Sequence, residues 1–154
     1  MNSRTASHCR SWHFRRGIQS FPDRKGLMRR AAELGVDAIV AIPHFESTRE
    51  YSVEFLDFAY RLADEFGLLV DVHCDEIDDE ASRGLETLAT RALETGLKDR
   101  VTASHTTAMH SYDNAYFVRL LRLLKMSGIN VSVGQDDIVD AWNPLGTGNL
   151  RDVQ

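Results

Sequence analysis

Three polar side chains recur at a nearly constant spacing along this sequence of 154 residues. His73, His105 and Asp136 lie 32 and 31 residues apart, which is about the length of one strand and helix repeat in an α/β protein. Because equivalent points of successive repeats lie at the same end of neighbouring strands, we expect the three side chains to converge. Two imidazoles and a carboxylate are a usual ligand set for a catalytic divalent metal that leaves one position open.

Glu76 adds a second carboxylate beside this set. It follows His73 by three residues, just beyond the predicted strand, where it can carry protons without binding the metal. The competing interpretation is structural, because polar residues collect where strands end and meet water. On that interpretation His73 or His105 is a hydrogen-bonded histidine with no chemical role.

The elements that position these residues alternate regularly. Helical periodicity covers residues 24–34, 47–66, 79–95 and 111–126, and Gly67 and Gly128 act as helix stop signals. Short apolar runs cover residues 36–42, 68–73, 101–107 and 129–133. Such alternation predicts a parallel sheet of right-handed βαβ units covered on both faces. Polar residues at the carboxyl ends of the strands favour a barrel rim. Since the sequence has no glycine-rich phosphate motif, nothing supports a nucleotide-binding sheet.

Other polar residues near the strand ends have plainer interpretations. Cys74 alternates with His73 and should be a buried core thiol. Residues 78–80 form an acidic group in the first turn of the predicted third helix. His110, at a helix start, is expected to be solvated. Trp142 lies in a loop and is either a stacking surface for a ligand or an ordinary packing residue.

Composition and charge bound the possible partners. Residues 1–30 carry eight Lys or Arg and one acid, whereas residues 31–154 carry ten Lys or Arg and twenty-two acids. The acidic body is a poor partner for nucleic acid or anionic lipid. The longest apolar run, residues 38–42, is too short to cross a membrane, and two cysteines do not form a disulfide framework. We therefore expect a cytoplasmic protein of one domain.

Three stretches of sequence carry a specific family resemblance. They are Asp-Val-His-Cys-Asp-Glu at 71–76, Val-Thr-Ala-Ser-His-Thr-Thr-Ala-Met-His-Ser at 101–111, and residues 134–147 with Gly-Gln-Asp-Asp and Trp-Asn-Pro-Leu-Gly-Thr. Together they closely resemble the bacterial cytosine deaminases of the amidohydrolase superfamily, over roughly residues 17–150. The resemblance implies a distorted (β/α)8 barrel of the TIM type that binds one divalent metal, iron or zinc. The implied reaction removes the exocyclic amine of a small-molecule pyrimidine and releases ammonia.

The resemblance also implies a role for each matching residue. His73 is a metal ligand, and Asp136 is a second ligand that also handles a proton. His105 orients the attacking hydroxide, and Glu76 is the proton shuttle to the ring nitrogen. Trp142 lies near the substrate.

The sequence departs from the family pattern in three ways. None of its six histidines lie two apart, so the His-x-His pair of metal ligands is absent. It supplies four helix and strand units where a barrel has eight, and residues 127–130 lead directly to the segment of Asp136 where relatives have a further unit. Gln135 stands where relatives often have His. Residues 17–154 are therefore expected to form an incomplete amidohydrolase barrel, impaired as an enzyme and retaining its metal weakly.

Two alternatives to an impaired deaminase stay open. In the first alternative the chain is a non-catalytic remnant or interaction module of the family, which self-associates through exposed strand edges. In the second it is a metal-binding α/β domain with another substrate. Metal content and ammonia release from cytosine separate the enzyme from the remnant.

The arginine-rich head, residues 1–16, needs a separate explanation. It has the arginines and serines of a targeting peptide but no apolar face. Codons compatible with residues 9–16 spell Leu-Gln-Ile-Val-Ala-Phe-Pro-Gln when shifted by one base, which is what relatives carry at this point. We therefore expect the head to be a non-native, out-of-frame translation, in which the Gln that relatives use to hold the pyrimidine is lost. The encoding DNA tests this hypothesis.

Overall fold

A computed structural model describes Ser11–Trp12 and residues 23–132 of the chain. Asp136 and Trp142 lie outside the described residues, as does most of the head. The strands are β1 (Ser11–Trp12), β2 (Ala38–Ala41), β3 (Leu69–Cys74), β4 (Val101–His105) and β5 (Asn130–Ser132). The helices are α1 (Asp23–Glu33), α2 (Arg49–Phe66), α3 (Gly84–Thr95) and α4 (Asn114–Ser127).

The five strands form one parallel sheet in chain order. In the ladders Ala41 lies opposite Val72, and His73 lies opposite Ser104. Because every crossover advances by one strand in the same direction, right-handed connections place successive helices on the same face. This topology is that of a barrel arc, whereas a doubly wound sheet reverses its strand order. The predicted α/β fold with a partial (β/α)8 barrel is confirmed, and the barrel is not closed by the described strands.

The two faces of the sheet have different environments. Along β3 the side chains of Val70, Val72 and Cys74 are buried, while those of Asp71 and His73 are partly exposed. The face that carries Val70, Val72 and Cys74 packs against the helices. A helix layer was expected on both faces of the sheet, and the described helices form it on this one. The other face is the side that becomes the interior of a closed barrel.

The helices begin and end where local chemistry requires. At the start of α2 the Thr48 hydroxyl accepts a hydrogen bond from the Tyr51 amide at 3.2 Å, and at the start of α4 the Asp113 carboxylate accepts one from the Tyr116 amide at 2.9 Å. Such caps satisfy amides that have no partner within the helix. At the other end α2 stops at Gly67, whose left-handed φ of 71° suits glycine. No helix among the described residues is long and apolar enough to cross a membrane.

The start of the third helix differs from the prediction. We expected it at residue 79 with an acidic first turn, but α3 begins at Gly84. Residues 78–80 precede the helix, and the Asp79 carboxylate instead accepts a hydrogen bond from the Ala81 amide at 2.8 Å in a turn. The helix is capped from a distance, because the Asp75 carboxylate accepts hydrogen bonds from the first helical amides.

Two residues of the head belong to the sheet. Ser11 and Trp12 pair in parallel with Ala38 and Ile39 of β2. This pairing concerns backbone position and says nothing about the reading frame. The out-of-frame origin of residues 1–16 stays a prediction.

Candidate metal and catalytic site

Two histidines come together at the carboxyl end of the sheet. His73 is the fifth residue of β3 and His105 is the last residue of β4, so neighbouring strands carry them to the same rim. Their ring centroids lie 4.8 Å apart, and the ring planes are tilted by 36°. The spacing of one repeat thus brings these two imidazoles together, as the sequence analysis expected.

Glu76 faces both imidazoles. Its Oε2 lies 3.5 Å from Nδ1 of His73, and its Oε1 lies 3.7 Å from Nδ1 of His105. One ligand atom from each of the three residues lies within 4.8 Å of the other two. Two imidazole nitrogens and a carboxylate oxygen at this separation fit a divalent transition metal. The position of Asp136 relative to this cluster lies outside the described residues and stays a prediction.

The backbone around the cluster is bent into an uncommon conformation. Asp75, His105 and Thr106 have φ angles of 51°, 71° and 52°, and no other described residue except glycine has a positive φ. This left-handed region costs free energy for side chains with a Cβ, and such residues collect at functional sites. The bends turn the chain sharply at the end of β3 and of β4, where Glu76 and His105 are presented.

The two rim loops are also tied to each other. The Thr106 amide donates to the Cys74 carbonyl at 3.1 Å, and the Ala108 amide donates to the Asp75 carbonyl at 3.0 Å. Because these bonds join the segment after β3 to the segment after β4, they hold Glu76 and His105 in fixed relation.

Asp75 supports this arrangement from inside the protein. Its side chain is buried and accepts hydrogen bonds from the Ser82 hydroxyl and from the Gly84 and Leu85 amides, each at 2.8 Å. The Tyr112 hydroxyl donates to the Ser82 carbonyl at 2.5 Å and also approaches the Asp75 carboxylate at 3.3 Å, and burial raises the pKa of Tyr112. In the sequence Asp75 is one of the polar residues at the end of a predicted strand, and the structure makes it a structural anchor.

Gly84 is part of the same anchor. A Cβ at this position would lie 2.9 Å from Oδ1 of Asp75. This distance is shorter than the van der Waals contact of a carbon and an oxygen atom. The absence of a side chain therefore lets α3 start directly against the carboxylate.

His44 is a further histidine of the rim. It lies in a single 3-10 turn, Pro43–Phe45, that follows β2, and its ring packs against Phe45 with centroids 4.6 Å apart. Burial lowers its pKa, against the opposing attraction of the Glu76 and Asp75 carboxylates. In the sequence His44 is one of the polar residues that follow a predicted strand. Because that strand is next to the strand of His73, this position was the available signal.

The remaining candidates lie away from the cluster. Cys74 is buried, as its alternation with His73 predicts, and burial raises the pKa of its thiol well above the ordinary range. His110 is exposed and lies 3.4 Å from the Asp78 carboxylate. Trp142 lies outside the described residues, so its place near a substrate stays a prediction.

Comparison with known proteins identifies relatives of this chain. Residues 2–124 match the model of the Amidohydrolase family. A 5-methylcytosine deaminase from Klebsiella pneumoniae, solved with phosphonocytosine, is 43% identical with a TM-score of 0.79. That match covers 91% of this chain and 43% of the deaminase.

Two more distant relatives match most of the chain. N-isopropylammelide isopropyl amidohydrolase of Pseudomonas sp. (strain ADP) is 27% identical over 150 residues, covering 82% of this chain and 37% of that protein. The structure of N-isopropylammelide isopropylaminohydrolase from Burkholderia multivorans ATCC 17616 is 19% identical with a TM-score of 0.66, and the match covers 90% of this chain and 41% of that one. The chain thus spans about two fifths of the length of these relatives. By its matching residues and its fold, the chain belongs to the amidohydrolase family.

Proposed function

We propose that this chain is a cytosine deaminase-like, metal-dependent hydrolase that acts on the exocyclic amine of a pyrimidine. The observation that carries the proposal is the cluster of His73, Glu76 and His105 at one rim of the sheet. Membership of the amidohydrolase family and the similarity to a 5-methylcytosine deaminase support it. The reaction replaces the exocyclic C–N bond with a bond from carbon to the oxygen of water, and ammonia leaves.

Each residue of the cluster has a proposed part in this reaction. His73, with Asp136, would hold one divalent ion, iron or zinc. When bound, such an ion makes water a competent nucleophile near neutral pH. His105 orients the attacking water. Glu76, which faces both imidazoles, takes a proton from that water and delivers it to the ring nitrogen. Trp142 contacts the substrate.

Glu76 has a second possible role, because its carboxylate is close enough to be a metal ligand. The variant Glu76→Gln separates the roles. A proton carrier can be replaced by an amide with little loss of metal, whereas a carboxylate ligand cannot. We expect Glu76→Gln to keep its metal and to lose about 10²-fold or more in ammonia release.

A non-catalytic remnant or interaction module is the second candidate function. The sequence lacks a His-x-His pair, and the five described strands do not close into a barrel. Both observations favour a domain, residues 17–154, that is an incomplete barrel with impaired activity. On this proposal the chain self-associates through its strand edges.

The test measures metal and turnover on the same sample. The full chain is purified after loading with iron(II) or zinc, its metal content is determined by elemental analysis, and ammonia release from cytosine is followed. The enzyme proposal expects about one metal per chain together with turnover. His110→Asn is a matched control, because it removes an exposed histidine outside the cluster. A chain with neither metal nor ammonia release contradicts the enzyme and supports the remnant.

A further inference from the structure

The alternation of side chains along β4 directs His105 away from the cluster. In this strand Val101 and Ala103 are buried in the core that packs against the helices. Because successive side chains of a strand point to opposite faces, His105 should share the face of Val101 and Ala103. Its partner in the ladder, Cys74, is buried on that face as well. Strand geometry alone would therefore turn the imidazole of His105 away from that of His73.

The imidazole nevertheless lies beside that of His73, with ring centroids 4.8 Å apart. The reason is a turn at the end of β4. The Thr106 amide donates a hydrogen bond to the Ser104 carbonyl at 3.0 Å, across His105, whose φ is 71°. A hydrogen bond across three residues with a positive φ at the centre is the rare and strained form of the γ-turn. This turn takes the His105 side chain out of the strand alternation.

The next residue, Thr106, continues the left-handed backbone. Its φ and ψ are 52° and 34°, which is an outlier for a side chain that is branched at Cβ. Such a conformation persists only where its surroundings hold it. Here the amide also donates to the Cys74 carbonyl, and the Thr106 carbonyl accepts from the Met109 amide, each at 3.1 Å. Thr106 is buried, so packing restricts it further.

We propose that Thr106 is a positioning residue for His105, whose left-handed backbone and amide hydrogen bonds hold the imidazole at the cluster. This inference rests on the proposed function, in which His105 orients the attacking water. Glycine would adopt the same φ with less strain, but it would also reach many other conformations. Threonine at this position therefore costs stability and fixes the direction of the His105 ring.

The first test observes the two rings in the full chain without metal. A nuclear Overhauser effect between the ring protons of His73 and His105 reports that the rings are close, and the parent should show it. Thr106→Gly should lose most of this signal, because glycine frees the backbone after His105. Thr106→Asn should retain it, since asparagine tolerates the left-handed region and has fewer alternatives than glycine.

The matched control is Thr107→Gly. Thr107 is exposed and has no positive φ, so the same substitution adds backbone freedom just outside the strained pair. It should keep the signal between the two rings. Urea denaturation accompanies each measurement, and Thr106→Gly should unfold close to the parent midpoint, because glycine is not strained at positive φ. Loss of the ring signal without loss of stability distinguishes a positioning residue from one that only supports the fold.

The second test measures the effect on the reaction in the zinc-loaded full chain. With cytosine as substrate, kcat for ammonia release should fall about tenfold or more in Thr106→Gly, because a misplaced catalytic group raises the barrier. KM should change less than kcat. Thr106→Asn and Thr107→Gly should keep most of the parent kcat.

The outcomes distinguish the two proposals. A ring signal that is present in the parent and lost in Thr106→Gly, without ammonia release from any chain, supports the positioning of His105 and contradicts the hydrolase. A signal that survives in Thr106→Gly, or that is lost equally in Thr107→Gly, overturns the assignment and leaves the proposed function intact. A folded parent without the signal overturns it as well, and so does an unchanged kcat in a Thr106→Gly chain that has lost the signal.

Discussion

At the scale of single residues, two adjacent carboxylates at the end of β3 have opposite surroundings. Asp75 is 1% exposed and is surrounded by hydrogen-bond donors. Glu76 is partly exposed and faces two imidazoles. The backbone turns sharply at Asp75, which has a φ of 51°. The Asp75 side chain therefore points into the protein, and the Glu76 side chain points towards the rim. One carboxylate therefore serves structure, and the other is available for chemistry.

The first prediction concerns the buried carboxylate. Asp75→Ala leaves the Gly84 and Leu85 amides and the Ser82 hydroxyl without their acceptor. We expect the free energy of unfolding to fall by about 3 kcal/mol, because several buried donors lose their partner at once. Urea denaturation followed by circular dichroism measures the change.

The control for this prediction is Asp79→Ala. Asp79 is exposed and accepts one amide hydrogen bond, from Ala81, in a turn. Its replacement should cost about 0.5–1 kcal/mol. Equal losses for the two variants would contradict the view that Asp75 anchors the start of α3.

The second prediction concerns pH and His44. Burial lowers the pKa of this histidine below its ordinary value of 6.5, whereas the unfolded chain keeps that value. The unfolded state therefore binds more protons as the pH falls below about 6.5, and the folded state loses stability in that direction. Asp75 and Glu76 oppose the shift without reversing it.

The variant His44→Phe tests this dependence. Its free energy of unfolding should decrease less than that of the parent between about pH 7.5 and about pH 5, because it has no group to protonate at this position. Denaturation curves collected across this range give both profiles. Parallel profiles for the two proteins would show that His44 is not held in its neutral form.

At the scale of elements, the helices are set largely by their ends. α2, α3 and α4 are each followed by a glycine in the left-handed region, with φ between 66° and 72°. The apolar positions between the ends lie on one face, as Phe55, Ala59 and Leu62 do in α2. Each helix thus combines a buried stripe with a local stop signal.

The third prediction compares two glycines in different elements. Gly96 follows α3 with a φ of 72°, whereas Gly26 lies within α1, and a Cβ at either position would meet nothing within 4 Å. Gly96→Ala should lower the free energy of unfolding by about 1 kcal/mol, because alanine is strained at positive φ. Gly26→Ala should raise it by about 0.5–1 kcal/mol through helix propensity. Thermal unfolding measures both, and effects of the same sign would contradict the argument.

At the scale of the whole molecule, the described sheet is an arc with two unlike faces. Helices cover one face, and the other carries polar groups such as Asp71, whose carboxylate accepts a hydrogen bond from the Ser104 hydroxyl at 2.7 Å. At the end of the described sheet, all three residues of β5 are exposed. An exposed parallel edge is a template for pairing with another strand.

The fourth prediction concerns this edge. The chain should self-associate with increasing concentration, and Val131→Lys, which places a charge on β5, should weaken the association about tenfold or more. Sedimentation velocity over a range of concentrations gives the mass distribution. Leu34→Lys adds the same charge at an exposed position after α1 and should leave the association unchanged. A parent chain that is monomeric at all concentrations would contradict the prediction.

The sequence by itself determined the alternation of strands and helices, the stops at Gly67 and Gly128, and the common rim of His73 and His105. These features depend on local periodicity, on backbone freedom at glycine and on the length of one repeat. Tertiary structure decided that Asp75 caps a helix nine residues further on and that helices cover one face of the sheet. It also decided that both ring nitrogens of His44 are shielded from solvent. These features depend on which segments approach in space, and neither composition nor spacing specifies that.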